Sequence, residues 1–592
     1  MPRHVRVSVL AASTAAVVLA VLAGAIESSK LARAASPSIS IAPVGTYASG
    51  VPFDGDFGAA EIPAYDPQTR RVFVVNGQQK RLDVLDISTP SAPTKVGSIA
   101  FDLRPNGVSV HEGLVAIALE AEPKSDPGSV AFYSASCAPD TCSALAEVEV
   151  GALPDMVTFS SNGRFVLVAN EGEALVEDDE IVVDPMGTVT VIDLRQGIGD
   201  PIVSTVDFTS LDDVPLPAGV VLTEGRKPSV DFEPEYITVS TNSLRAWVSL
   251  QEANAIAEID VPNAKLVAVR GLGFKDHGLS QNSLDASDRE ATSNQGVINM
   301  CPWTNVHGMY QPDAIAAYQV RNRFYIVSAN EGDSRDPSLG ADDERRVNAL
   351  PAASFEGSPF TSLIRNNRNL GRLTVNRHLG LEDGVYQKLF VYGARSFSIW
   401  SDTGERVYDS GNELERIVGS FAAPTAASDP YADPLVLTGP AVPDSQSRGC
   451  PLTATVTTDI PPPTTPANAN HEEGPSFDNR SDNKGPEPEA VTVGRVRGQK
   501  YAFVGLERAG GIAVYNVTHP ASPTFVQYVN PRDFTAGPYV TAGEDTEGDW
   551  EAAGDLGPEG IVFVSEEESP TGEPLLVVAN EVSGTTTIYA IG

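Results

Sequence analysis

The sequence predicts an all-β fold: a single β-propeller, with eight blades favoured and seven as the alternative, carrying long loop insertions. Three observations predict it. A unit with two markers recurs from about residue 59 to the C-terminus. Its hydrophobic runs are short and rich in Val, Ile, Phe and Tyr, as strands are. Finally, 51 Gly and 45 Pro punctuate the 592 residues, a turn content that disfavours a helical protein.

At the N-terminus, Arg3 and Arg6 precede an almost wholly apolar or small stretch from Val7 to Ile26, and Ala32-Arg33-Ala34 offers an A-x-A cleavage site. Residues 1–34 therefore read as a signal peptide and 35–592 as the mature, secreted chain. Losing Arg3, Arg6, Lys30, Arg33 and Glu27 with the peptide takes away a net +3, so the formal charge of −37 becomes −40. No later stretch reaches transmembrane length, and TTTIYAIG ends without an apolar tail. No stable membrane insertion is expected after cleavage. The first mature strand, SISIAPVGTY, is expected to pair with TTTIYAI, closing the ring and hiding two sheet edges.

The first marker of the unit is a Pro or Gly, a polar or acidic residue and then a β-rich run: PNGVSV at 105, PDMVTF at 154, PEYITV at 234, PDAIAAY at 312, PEAVTVG at 488 and PEGIVFV at 558, with a degenerate AAEIPAYD at 59. The second is an apolar strand ending in a polar tip and followed by another strand, as in RVFVVNGQQKRLDVLDI, RAWVSLQEANAIAEIDV and YAFVGLERAGGIAVYNV. Asn76-Gly77 and Ala509-Gly510-Gly511 supply turn chemistry. These markers count seven units; LFVYGARSFSIWSDTGERVYDSG, near 389–411, reads as a divergent eighth. Insertions at 171–187, 271–311, 332–371 and about 419–486 break the period. The last contains the low-complexity PPPTTPANANHEEGPS and reads as exposed and poorly ordered.

Charge narrows the function. With 78 Asp and Glu against 41 Lys and Arg and a pI near 4.5, binding to nucleic acid or an anionic membrane through bulk charge is excluded. Part of the surplus is periodic. The first marker places Glu61, Asn106, Asp155, Glu235, Asp313, Glu489 and Glu559 at matching positions, and the second places Glu120, Glu171, Glu252, Glu331, Glu507 and Glu581 just beyond a strand. If both sets share one rim, they form a negative funnel. Converging carboxylates repel unless paired, protonated or metal-bound, and a hard cation with oxygen ligands, Ca²⁺ above all, relieves that repulsion. The candidate metal ligands are thus Glu61, Asp155, Glu235, Asp313, Glu489, Glu559, Glu171 and Glu331. As solvated turn residues, the same side chains would need no partner.

GFKDHGLSQNSLDASD supplies Lys275, Asp276 and His277, and RSDNKGPEPE supplies Lys484. A cation beside metal-bound carboxylates is the equipment of phosphate-ester hydrolysis, and equally of a buried ion-pair network. His277, Lys275, Lys484 and Asp276 are the catalytic candidates of that reading. The sequence has no G-x-S-x-G elbow, H-E-x-x-H, P-loop or dinucleotide fingerprint. Cys137 and Cys142 bracket APDT at a spacing that closes a small disulfide loop, and Cys301 with Cys450 would make a second pair. Four cysteines allow three pairings, and spacing does not choose among them.

GALPDMVTFS, VLVANEGE, DFEPEYITVS, GLGFKDH, MYQPDAIA, SANEGDSRD, GARSFSIW, RSDNKGPEPE, GLERAGGI and GDLGPEG, in this order over about residues 40–592, resemble the bacterial choice-of-anchor I domain family. The resemblance implies a secreted, propeller-like protein; some members are labelled alkaline-phosphatase-like, and no catalytic residue carries over. The leading expectation is a secreted acidic propeller that binds calcium and an extracellular ligand or macromolecule. The alternatives are a metal-dependent phosphoesterase, alkaline-phosphatase-like or phytase-like, and a structural component of the cell envelope or matrix.

Overall fold

Short apolar runs bounded by turn residues fold as strands buried on both faces, as in Arg71–Asn76 and Phe165–Asn170. The computed structural model describes residues 38–51, 53, 57–177, 180–291, 296–335, 343–420, 435–438, 450–453, 467–471, 476–534, 536 and 550–592. The signal peptide expected over 1–34 lies outside them. By its contacts the chain divides into Met1–Ile39 and Ser40–Gly592, and everything below concerns the second unit.

The architecture is all-β and antiparallel with little helix. Among the described residues, seven sheets are built on four strands in chain order. Their first two strands are Pro63–Asp66 and Arg71–Asn76 in sheet 1, Pro105–His111 and Leu114–Leu119 in sheet 2, and Pro154–Phe159 and Phe165–Asn170 in sheet 3. Sheet 4 begins with Pro234–Val239 and Arg245–Leu250, sheet 5 with Ile315–Val320 and Arg323–Asn330, sheet 6 with Pro488–Val496 and Gln499–Leu506, and sheet 7 with Pro558–Val564 and Leu575–Asn580. Sheet 7 is completed by Thr585–Ile591 and, antiparallel to it, the N-terminal strand Ile41–Ala48, with Ile41 opposite Ile591.

The segment taken as an eighth unit is divided between two sheets. Ser396–Ser401 and Arg406–Asp409 are the outer strands of sheet 5, separated from its inner pair by the insertion 331–395. Leu389–Val391 instead joins Phe274–Asp276 and Val306–Met309 in a small three-stranded sheet.

Each sheet shares an apolar layer with the next. Phe73 and Val84 meet Ile117 and Ala131 between sheets 1 and 2. Phe132 meets Val166 and Ile192; Leu167 meets Val248 and Ile259. Trp247 packs with Ile326 and Trp400, and Phe397 with Val504 and Tyr515. Phe503 of sheet 6 stacks on Phe563 of sheet 7 with centroids 5.9 Å apart. Val577 and Ile588 of sheet 7 return to Val72 and Leu85 of sheet 1. Burying such a side chain stabilises the fold by about 1.5–3 kcal/mol relative to exposing it. Burial on both faces also explains the continuous apolar runs, whereas outermost strands such as Thr94–Ala100 keep exposed positions. First strands contact one another in cyclic order, sheet 7 again meeting sheet 1.

Two disulfides join Cys137 to Cys142 and Cys301 to Cys450. The second ties the insertion before sheet 5 to the one before sheet 6. Within 419–486, the expected exposure does not hold for the described part around 467–486, because Asn468, His471, Asp478 and Ser481 are buried. The Pro-rich run from Pro461 to Pro466 lies outside the described residues.

Candidate metal centre

Strand register assembles the site. Pro154 pairs with Asn170, Pro234 with Leu250, Pro488 with Leu506 and Pro558 with Asn580, so the acid that follows each Pro and the residue that follows its partner leave the sheet at the same end. A bulge follows each of these pairs, and Leu153, Gln311 and Glu487, which precede the Pro of sheets 3, 5 and 6, hold φ of 47°, 40° and 50°. Left-handed φ at a non-Gly residue is a local strain, and with the bulge it aims the acid inward. Glu61, Asn106, Asp155, Asp313 and Glu559 line one cavity of about 360 Å³, together with Glu120, Glu171, Glu581 and Tyr236.

Register also revises the second set. In sheet 4 the residue beyond Leu250 is Gln251, so Gln251 takes the place that Glu171 has in sheet 3, and Glu252 lies one residue further on. Gln251 Nε2 donates to Glu331 Oε2 at 2.9 Å, joining sheets 4 and 5 across the rim. In sheet 1 the corresponding position is Gly77, where the backbone leaves room for the Glu61 carboxylate.

Three ligand oxygens within 4.8 Å of one another occur in Asp155–Glu171–Glu235, in Asp313–Glu331–Glu489 and in Glu331–Glu487–Glu507; His471–Glu507–Glu581 adds a set with an imidazole. Their electrostatics differ. Burial, then the charge of Glu120, pushes Asp155 up to about 7. Burial followed by neighbouring carboxylates carries Glu171 and Glu235 well above the usual range, the strongest charges acting on each being negative. Burial and like charges also raise Asp313, Glu489 and Glu559. Glu61 rises well above its ordinary value through burial, against the 2.8 Å bond that its Oε1 accepts from Gly58 N–H.

The Glu331–Glu487–Glu507 side of the rim carries cations. Lys484 Nζ pairs with Glu331 and lies 3.3 Å from Glu487 Oε2 and 3.9 Å from Asp333. Arg480 pairs with Glu487 at 2.6 Å, and Arg508 with Glu507 at 2.9 Å. Burial would raise Glu487, but Arg480, Lys484 and Arg508 outweigh it and hold it at about 2. One side of the rim is thus a compensated network, while on the other the cations that line the cavity with Asp155 and Glu171, Arg104 and Lys124, pair with Glu120 and Glu173.

The other candidates lie elsewhere. Lys275 is buried, donates from Nζ to the Ala394 and Gly411 carbonyls at 2.7 Å each, and pairs with Asp409 at 3.2 Å. His277 is buried with Nδ1 2.7 Å from the Asn282 carbonyl, and burial followed by Lys275 drives its pKa well down. Asp276 is exposed and accepts from Gly278 N–H at 2.8 Å, a turn contact. Only Lys484 of the four reaches the rim carboxylates in its ion pairs. Gln251, Glu487 and His471 are the rim residues that the repeat pattern does not point to. Glu487, directly before the Pro of PEAVTVG, carries the one available signal.

Fold and rim define an all-β protein with a carboxylate-rich cavity. The choice-of-anchor I domain matches residues 61–432 and 453–520, and the chain belongs to that family. The protein is extracellular, and that membership supports it. It is 30% identical to Gigasin-3a of Magallana gigas over 38% of this chain and 66% of the relative, and 24% identical to the mesenchyme-specific cell surface glycoprotein of Strongylocentrotus purpuratus over 48% and 35%. The chain thus spans just under two thirds of the first relative and about a third of the second. Hydrazine synthase of Kuenenia stuttgartiensis is 12% identical, with a TM-score of 0.40 over 92% of this chain and 98% of that one. Among the described residues no helix is long and apolar enough to cross a membrane.

Proposed function

We propose that the protein is a secreted, closed seven-bladed β-propeller that binds calcium in its central acidic cavity and uses the bound ion to hold an extracellular ligand. On this reading residues 1–34 are removed on export and 35–592 form the propeller. The observation that carries it is the Asp155–Glu171–Glu235 set: three carboxylate oxygens within 4.8 Å of one another, with carboxylates as the strongest charges acting on Glu171 and Glu235. Calcium takes oxygen ligands at about 2.3–2.6 Å, so opposite ligands in one shell lie roughly 5 Å apart, the span of this set. Hard, anionic donors from two sheets suit calcium better than a transition metal that prefers nitrogen or sulfur. A carboxylate shell from so few residues leaves positions for ligand oxygens, and the name of the sea-urchin relative supports a role at a cell surface.

Phosphoester hydrolysis is less well supported. It needs a cation free to meet phosphoryl oxygens, whereas Lys484 is shared among Glu331, Asp333 and Glu487, Lys275 is held by two carbonyls and Asp409, and the cavity-lining Arg104 and Lys124 pair with Glu120 and Glu173. The test is calcium titration of the chelator-stripped mature protein and of the triple variant Asp155→Asn/Glu171→Gln/Glu235→Gln, with aryl phosphate turnover assayed in parallel. The expected result is one calcium equivalent lost in the variant and no turnover. Equal calcium binding by both proteins would refute the assignment, and calcium-dependent turnover would favour the esterase.

A further inference from the structure

Away from the cavity, the two insertions joined by Cys301–Cys450 enclose a second group of acids. Asp285, Glu290 and Asp478 are each 1% exposed or less, and Asn468 is 4% exposed. Three of their acceptor oxygens have no hydrogen-bond partner: Asp285 Oδ1, Asp478 Oδ2 and Asn468 Oδ1. Leaving such an atom buried and unsatisfied costs about 1–3 kcal/mol, and more for a charged group.

Shared partners bring these groups into one neighbourhood. Asp285 Oδ2 accepts from Asn299 N–H at 2.6 Å, which leaves Oδ1 open. The hydroxyl of Ser481 donates to Asp478 Oδ1, so Oδ2 is the open atom there; a Cβ at Gly296, in the other insertion, would sit 2.2 Å from it. Asn468 spends its amide N–H groups on Glu415 Oε1 at 3.1 Å and Ser481 Oγ at 2.8 Å, leaving its carbonyl oxygen open. Asp285 N–H shares Glu415 Oε1 as acceptor at 3.3 Å.

The cation that acts on Asp285 is already engaged. Arg395 pairs with Glu415 at 2.8 Å and donates to the carbonyls of Asp285, Ser481 and Asn483. Of the charges acting on Asp478, Asp285 is the strongest and Glu290 the next, and burial together with both raises its pKa well above the usual range.

We infer that Asp285, Asp478 and Asn468 bind a divalent cation of the calcium class, with Glu290 beside it, and that this ion cross-links the two insertions. It differs from the cavity site in residues and in role. The cavity site is open and presents its ion, whereas this one is enclosed and structural, and it sets the path of the chain that delivers Lys484 to the rim.

Trp303 makes the site readable. Its indole N–H donates to the Leu284 carbonyl at 3.3 Å, next to Asp285, so Tb³⁺ bound there would be sensitised by tryptophan excitation. The chelator-stripped mature protein carrying the cavity triple variant is titrated with Ca²⁺ by calorimetry and with Tb³⁺ by luminescence. The expected outcome is one remaining calcium equivalent and tryptophan-sensitised emission. Adding Asp478→Asn should remove both; adding Trp303→Phe should remove the emission and keep the calcium. The inference is overturned if the triple variant binds no calcium, as it would if Asp285 and Asp478 shared a proton, or if the emission survives Trp303→Phe. Because Asp155, Glu171 and Glu235 are already neutral in this background, and Asp478→Asn tests whether the remaining equivalent sits between the insertions rather than on Asp313, Glu331 and Glu489 of the rim, failure here is distinct from failure of the cavity assignment.

Discussion

Glu61 places its carboxylate where a side chain at Gly77 would lie: a Cβ on Gly77 would stand 2.9 Å from Glu61 Oε1 and 3.0 Å from Oε2. Five sheets carry Glu at this rim position, and sheet 1 carries none. The vacancy lets Glu61 turn back to accept from Gly58 N–H. Gly77→Glu should therefore collide with Glu61 and add a charge where burial already disfavours one. The expected cost is roughly 1–3 kcal/mol in thermal or denaturant unfolding, with Gly77→Ala costing less because the flexible end of Glu61 can give way.

Glu235→Gln should change sign with calcium. Two carboxylates less than 4.8 Å apart repel by roughly 3–4 kcal/mol at an effective dielectric near 20, and partial protonation relieves part of this. In chelator the variant should be more stable than the parent by roughly 1–3 kcal/mol; at saturating calcium it should be less stable, having lost a ligand. Unfolding curves in both conditions check this. A variant stabilised equally in both would show that no ion is bound there.

The rim is legible in the sequence to the extent that it repeats. Pro-acid at the start of a first strand and Glu after a second strand recur because one backbone geometry recurs, and the structure brings Asp155, Glu171 and Glu235 together as that pattern implies. Two things escape the pattern. LQE reads like ANE, yet Pro234 pairs with Leu250, and a one-residue offset puts Gln251 rather than Glu252 at the rim position. The eighth unit fails because residues 331–395 separate strands of a single sheet, so its outer pair looks like a new repeat. Lys275 and His277 are polar residues whose burial and carbonyl partners depend on chain segments far away in sequence, which spacing does not report.

Lys484→Met should be among the most damaging single changes at the rim. Burial alone would lower this ammonium's pKa, but Glu331, Glu487, Asp333 and Glu507 outweigh it and raise it well above the ordinary value. Removing the cation leaves Glu331 with like-charged neighbours and takes one counter-charge from Glu487, and breaking a buried pair from one side costs about 3–5 kcal/mol. Urea unfolding at constant m-value measures it. Added calcium should recover part of the loss, because an ion can replace the lost positive charge.

Acid lability has an identifiable contributor far from the rim. Asp193 accepts from Arg164 at 3.0 and 2.8 Å and from Arg195, and these bonds, Arg164 first, hold its pKa at about 2 against burial. The folded value lies below the unfolded one, so the associated stability is present above about pH 4 and is lost as pH falls towards 2. With both arginines exposed enough for solvent to screen them, the contribution is roughly 1–2 kcal/mol. Asp193→Asn should lower stability at pH 7 and flatten its decline between pH 4 and 2. Unfolding measured across that range decides it, and an unchanged slope would assign the acid transition to other carboxylates.

The two disulfides should differ in worth. Cys301 and Cys450 are 149 positions apart, whereas Cys137 and Cys142 are 5 apart. Chain entropy assigns about 5 kcal/mol to closing the long loop and about 2 kcal/mol to the short one. Packing works in the same direction: beyond Cys450, Leu452 N–H donates to Asn369 Oδ1 at 2.8 Å and Asn369 Nδ2 returns a bond to the Leu452 carbonyl at 3.1 Å, so the bridge anchors an ordered contact between insertions. At the short loop, Arg71 already bonds the carbonyls of Ala135 and Cys137 at 2.9 and 2.8 Å and holds the turn without the bridge. The paired Cys301→Ser/Cys450→Ser variant should therefore lose more stability than Cys137→Ser/Cys142→Ser, and should be cleaved faster by protease within 450–486. Equal losses would mean that packing, with Asn369 and Leu452 at its centre, holds the insertions together without the covalent link.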